Sequence, residues 1–199
     1  MSKRIIYYTD NSIDDTRLAK VARKYIRRSS IAVTSVTHKP MEFGDNFVFY
    51  NPPSARSILR QVLMGLYTTP EKTVYLCEHD CLYHRSHFAL ETDGVAFNTN
   101  VYRLTNRGFY KKSEWVLSQL IADRDCLIQA IEQKLAQPDP IKLLEPGRGD
   151  NWPVELLQSK LPNVDVRHGR NFSHWRPRGK RRCRIPHWGH YAGQVANVL

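Results

Sequence analysis

The sequence predicts an α/β protein built on a single, mainly parallel sheet flanked by helices. Short apolar or β-branched runs alternate with amphipathic helical stretches through the first half of the chain. The strand candidates are largely continuous in apolar character, as expected of strands covered on both faces. The helix candidates are long enough to cross back over a sheet between parallel strands.

The elements follow in order. Arg4 to Tyr8 is an apolar run that ends in the polar Thr9-Asp10-Asn11. From Asp14 to Arg28, Leu18, Val21, Ala22, Tyr25 and Ile26 recur at helical spacing, with Lys and Arg opposite. Ile31 to Val36 is β-branched and reads as a second strand, and Phe47 to Tyr50 as a third. Asn51-Pro52-Pro53 punctuates the chain and offers Ser54 as a helix cap. Ile58, Leu59, Val62, Leu63, Leu66 and Tyr67 form the buried stripe of that helix, and Thr73 to Leu76 is the central strand. Gly94 to Tyr102 reads as one strand carrying Asn98-Thr99-Asn100. Ser113 is the expected cap of a long helix with Leu117, Leu120, Ile121, Leu127, Ile128, Ile131 and Leu135 on its apolar face. Val154 to Lys160 is expected as a short helix and Val164 to Arg167 as a short strand; the tail from Gly169 shows no periodicity. One domain is expected, with a first half over about residues 1–92, a second over about 93–168, and a basic irregular lobe over 169–199.

Composition narrows the function. The chain of 199 residues is 41% hydrophobic and 25% charged, which fits neither a membrane span nor disorder. Its opening turns polar too soon for a signal peptide, so a cytoplasmic protein (in the host cytoplasm, if viral) is expected. The four cysteines, Cys77, Cys81, Cys126 and Cys183, then read as reduced thiols. Residues 160–199 hold nine Lys and Arg against Asp165 alone, a balance of +8 out of the chain's +11. Such asymmetry points to a polyanion as partner, and no amphipathic helix accompanies it to suggest a membrane.

In open parallel sheets, ligands bind beyond the C-terminal strand ends. Thr9-Asp10-Asn11 follows the first strand and Glu78-His79-Asp80 the central one. The first cluster reads equally well as a capping turn. In the second, two acids flank a histidine at a buried strand end, where carboxylates can hold a divalent ion on phosphate groups. The string Cys77-Glu78-His79-Asp80-Cys81-Leu82-Tyr83-His84 also offers zinc ligand types at Cys77, His79, Cys81 and His84. That alternative is a zinc-organised nucleic-acid-binding module without catalysis.

Glu78-His79-Asp80, Tyr83-His84-x-x-His87-Phe88 and Asn98-Thr99-Asn100, in that order, resemble glycosyltransferases of the A-type, nucleotide-sugar-binding, Rossmann-like fold. Asn171-Phe172-Ser173-His174-Trp175-Arg176 and Ile185-Pro186-His187-Trp188-Gly189 resemble the C-terminal motifs of small members from bacteria and their viruses. Where that family carries Asp-x-Asp, this chain has Glu78-x-Asp80. The resemblance implies a metal-dependent transferase using Mn²⁺ or Mg²⁺ and a nucleotide sugar, with a UDP-sugar as the expected donor. Thr9, Asp10 and Asn11 would meet the base or ribose, Arg56 and Arg60 the diphosphate, and Asn98 and Asn100 the donor. Glu78 and Asp80 would hold the ion, with His168 or His174 completing its shell. Glu114 is the implied catalytic base, with Asp123 and Asp125 as weaker alternatives.

The tail alternates cations and aromatics, so phosphates and stacked bases suit it. Arg170, Asn171, Trp175, Arg176, Arg178, Lys180, Arg181, Arg182 and Trp188 are therefore expected to bind the acceptor. The expected acceptor is a hydroxymethylated pyrimidine in duplex DNA, with a polysaccharide or lipid-linked acceptor as the alternative. No obligate protein partner is expected.

Overall fold

A computed structural model describes residues 2–112, 114–138, 144–169 and 180–190. The first part runs β1 (Lys3–Thr9), α1 (Arg17–Arg27), β2 (Ala32–Thr37), β3 (Asp45–Val48), α2 (Ala55–Tyr67) and β4 (Thr73–Glu78). Then come β5 (Cys81–Leu82), β6 (Val95–Asn98), β7 (Val101–Thr105), β8 (Gly108–Lys111), a 3-10 turn (Leu117–Gln119), β9 (Leu120–Asp123) and α3 (Arg124–Leu135). The remaining strands are β10 (Glu155–Leu157), β11 (Asn163–Val166), β12 (Arg181–Arg182), β13 (Arg184–Ile185) and β14 (Gly189–His190).

Seven strands form the main sheet in the order β10-β6-β9-β4-β1-β2-β3, parallel except for β9. Both faces are covered, which is why β1 and β4 read as unbroken apolar runs. Ile6, Tyr8, Val74 and Leu76 pack with Leu59, Val62 and Leu66 of α2 and Leu127 and Ile131 of α3. Ile5, Tyr7, Tyr75 and Cys77 point the other way, toward Ile26, Phe43, Tyr83 and Phe88. The helix α2 lies so near the sheet that a Cβ on Gly65 would sit 2.7 Å from Ile6 Cγ2. Ser54 caps α2 as its sequence predicts, accepting from Ser57 N.

A second sheet of five strands, β12-β8-β7-β11-β5, stands beside the first. Its apolar side meets Leu18, Ala19 and Ala22 of α1, together with Ile185 and Trp188. The turn between β4 and β5 is only His79-Asp80, so the chain passes from one sheet to the other at the end of the central strand.

Several sequence expectations change. The helix expected from Ser113 is a 3-10 turn, the strand β9 and a shorter helix, capped by Asp123 through bonds from Asp125 N and Cys126 N. Leu117, Leu120 and Ile121 have helical spacing, but Leu120, Ile121 and Ala122 are fully buried between β4 and β6. A strand covered on both faces has no alternation to betray it. Ser113 itself lies outside the described residues. Gly94 to Tyr102 is two strands in different sheets, with Thr99-Asn100 as the crossing. The segment expected as a helix at Val154–Lys160 instead contributes β10, an edge strand on β6. The third strand lies two residues earlier than expected, and the basic lobe carries three short paired strands within 181–190.

Candidate active site

Strands β1 and β4 run side by side with Tyr8 opposite Glu78, so Thr9-Asp10 and Glu78-His79-Asp80 emerge together beyond the C-terminal ends of two central strands. A cleft of about 310 Å³ opens there, within the range that holds a small ligand. One wall carries Asp10, His38 and Gln61, its centre Glu78, His79 and Asp80. The second sheet adds Arg103, Lys112 and Asp165, and the loop after α3 adds Glu145.

Beside this centre three side chains converge. His168, just past β11, places Nε2 3.3 Å from Asp80 Oδ2. One ligand atom from each of His79, Asp80 and His168 lies within 4.8 Å of the others. Thr9 Oγ1 is 2.5 Å from His79 Nδ1, and Asp10 Oδ1 is 3.9 Å from the same nitrogen. Burial lowers the His79 pKa against the opposing pull of Asp80 and Asp10, which favours the neutral imidazole, the form able to bind a metal. Glu78 stands behind this group, its Oε1 accepting from the Tyr8 hydroxyl. Burial, then the Asp80 charge, pushes its carboxyl up to about 8. Asp10 is pushed up by burial but ends below the usual range because Ser12 N donates to it.

The floor on the second-sheet side is an ion cluster. Asp165 Oδ2 accepts from Arg103 Nε at 3.1 Å, from the Arg103 Nη2 group and from Lys112 Nζ at 3.1 Å. Burial opposes ionisation of Asp165, and the Lys112 and Arg103 charges outweigh it, holding its carboxyl below the usual range.

Thr9, Asp10, Glu78, Asp80 and His168 are thus brought together, and other expected residues go elsewhere. Asn11 is a turn residue at φ 60° whose Oδ1 accepts from Lys39 N. The Arg56 guanidinium bonds Leu135 O and Gln137 O at the end of α3, and Arg60 is exposed outside the cleft lining. Asn98 and Asn100 tie the sheet crossing to Ser159, where an amide can satisfy buried backbone. Asp123 pairs opposite Thr73, at the far end of β4 from Glu78, and caps α3; Asp125 pairs with Arg124. Glu114 sits in a loop, not a first helical turn, with its carboxylate half exposed and 3.9 Å from Arg148. The same arginine is 3.5 Å from Glu145.

The zinc arrangement does not form. Cys77 and Cys81 are buried in the core, Cys81 Sγ lies 3.6 Å from Ser118 Oγ, and His84 faces His187. Trp188 is also buried, with Nε1 donating to Pro162 O at 2.6 Å, so it cannot act as an exposed stacking residue. Lys180, Arg181 and Arg182 are exposed, while Arg170, Asn171, His174, Trp175, Arg176 and Arg178 lie outside the described residues. Among the described residues no helix is long and apolar enough to cross a membrane.

Sequence reasoning passed over Arg103, Lys112, Asp165 and Glu145. A usable signal existed for two of them: Asp165 stands between two valines in a short strand, and Arg103 between Tyr102 and Leu104. A charge inside an apolar strand needs a buried partner.

No family model and no curated protein matches the sequence. Solved structures do match in fold. The 2-C-methyl-D-erythritol 4-phosphate cytidylyltransferase of Thermus thermophilus is 11% identical, with a TM-score of 0.52 over 85% of this chain and 94% of its own. Staphylococcus aureus TarS is 10% identical, with a TM-score of 0.52 over 83% of this chain and 37% of its own. A TarS 1–349 structure in complex with UDP-GlcNAc scores 0.48 at 12% identity, over 84% of this chain and 59% of that one. The bifunctional IspDF of Campylobacter jejuni is 9% identical and scores 0.49 over 80% of this chain, which spans only half of that protein. The likeness is one of architecture: this chain has a mixed α/β fold, with a large, mainly parallel sheet, that resembles the nucleotidyl- and glycosyltransferase folds.

Proposed function

We propose that the chain is a metal-dependent glycosyltransferase that moves a sugar from a nucleotide sugar, expected to be a UDP-sugar, to a hydroxyl acceptor. The observation that carries this reading is the convergence of His79 and Asp80, which line the cleft at the ends of β1 and β4, with His168 beside them. Two imidazoles and one carboxylate suit Mn²⁺ better than Mg²⁺, which prefers oxygen ligands. When bound, such an ion offsets diphosphate charge and makes the nucleotide a better leaving group. Thr9 orients His79 through its Nδ1, and Glu78, held by Tyr8, backs the ligand set. Asp10, beside His79, faces the base or ribose. The acceptor hydroxyl must give up a proton, and Glu145 in the cleft lining takes this role ahead of the more exposed Glu114.

Duplex DNA carrying a hydroxymethylated pyrimidine is the acceptor this reading favours. Its support is the exposed Lys180-Arg181-Arg182 run, whose last two residues form β12 at the edge of the sheet that floors the cleft. Nucleotidyl transfer is the second reading, favoured by the near-complete overlap with the cytidylyltransferase fold.

Asp80→Ala should abolish the Mn²⁺-dependent thermal stabilisation by nucleoside diphosphates and sugar nucleotides while the apo protein stays folded. An undiminished shift would remove the metal assignment. Incubation with hydroxymethylated DNA, Mn²⁺ and a panel of sugar nucleotides, read by nucleoside mass spectrometry, tests the acceptor. Absence of a modified nucleoside with every donor would turn the reading to a polysaccharide or lipid-linked acceptor. Release of pyrophosphate from a nucleoside triphosphate would establish the nucleotidyl reading instead.

A further inference from the structure

We propose that Lys112 and Asp165, braced by Arg103, form the subsite for the transferred group and select a neutral, polyhydroxylated sugar over an anionic one. This rests on the transferase reading above and adds the class of sugar.

Position is the first argument. Asp10 Oδ1 lies 3.9 Å from His79 Nδ1, His79 and Asp80 meet His168, and Arg103, Lys112 and Asp165 line the same cleft from the second-sheet side. A nucleotide sugar laid out with its base at Asp10 and its diphosphate at the histidine-aspartate centre brings its sugar to this cluster.

Chemistry is the second. The side chains of Arg103, Lys112 and Asp165 are only 7%, 4% and 5% exposed, yet all three line the cleft. Burying three charges is costly, and an apolar cluster of the same volume would serve stability as well. Asp165 receives all its hydrogen bonds among the described residues on Oδ2, which leaves Oδ1 as an acceptor. The Lys112 ammonium makes one hydrogen bond there out of three N–H groups. A carboxylate acceptor and an ammonium donor held side by side match the paired hydroxyls of a pyranose, each of which both donates and accepts. An anionic sugar would gain from Lys112 and Arg103, but both cations already bond Asp165, and the anion would face that carboxylate and, beyond it, Asp80.

Isothermal titration with Mn²⁺ tests this, using UDP, CDP and GDP to identify the nucleotide, then its neutral hexose and its uronic acid conjugates. Wild type should bind the hexose conjugate about tenfold tighter than the bare diphosphate, as two added hydrogen bonds would give. The uronate should bind no tighter than the bare diphosphate. Lys112→Met should bring the hexose conjugate down to the value of the bare diphosphate, itself unchanged. A retained hexose preference in that variant, or a uronate that outbinds the hexose, overturns the proposal while leaving the transferase reading intact. Should Lys112→Met fail to fold, the wild-type hexose–uronate comparison decides alone. If none of the three diphosphates binds with Mn²⁺, the transferase reading fails and this subsite with it.

Discussion

Glu145 and Glu114 share one arginine, and single substitutions separate their roles. Glu145→Gln should keep donor binding and lose transfer by about 10²- to 10⁴-fold, the usual worth of a positioned base. Glu114→Gln should stay within a few-fold of wild type; the reverse pattern in initial-rate assays would hand the role back to Glu114. His87 makes a different point. It resembled part of a functional motif, but it is fully buried among Tyr75, Tyr83 and Phe88, with Asn98 against its Nδ1. Burial drops its pKa to about 3. Below the free value of 6.5 the unfolded chain binds a proton that the native chain refuses, so stability falls as pH falls, until the native ring protonates near pH 3. Urea unfolding from pH 7 to 4.5 should show this slope, and His87→Phe should remove about 1.4 kcal/mol per pH unit of it. Equal slopes in the two proteins would rule out a buried neutral histidine. At this scale the sequence pointed to 78–80, because an apolar strand ending in Glu-His-Asp has few structural uses, and these three residues line the cleft. It could not tell a histidine that meets Asp80, as His168 does, from a packed histidine such as His87, since burial is not a property of the residue.

Among the elements, the stretch from Ser113 to Leu135 shows how a local pattern misleads. Apolar residues at helical spacing lie partly in a strand, and the helix begins only after Asp123. Asp123→Ala should cost about 1 kcal/mol of stability by removing that cap. Asp123→Asn, which still caps, should leave both stability and turnover near wild type. Loss of turnover in the Asn variant would restore Asp123 as a candidate base. The elements that read correctly, β1, α1, β2, α2 and β4, are those with a long enough period or a clear cap, such as Ser54. Those that did not, β6, β9 and β10, are three or four residues long and owe their conformation to neighbours already in the sheet.

For the whole molecule, the charge imbalance of the last forty residues sets the prediction. Replacing Lys180, Arg181 and Arg182 by Ala should weaken duplex DNA binding uniformly across sequences. It should also flatten the salt slope by roughly 0.9 log units per lost phosphate contact. Sugar-nucleotide binding should be unchanged, and a salt slope equal to wild type would detach this surface from DNA. The sequence by itself determined the alternation of strands and helices in the first half, the burial of both sheet faces, the polar cluster after the central strand and the basic end. Each of these is a matter of composition or of short-range period, 2 for a strand and 3.6 for a helix. Tertiary structure alone decided that His168 meets Asp80 across 88 residues, and that Arg103 and Lys112 share Asp165. It also decided that Arg56 bonds the carbonyls at the end of α3 and that Trp188 is core. Such meetings depend on sheet order and strand register, and a periodicity that repeats along one segment carries no information about which distant segment lies beside it.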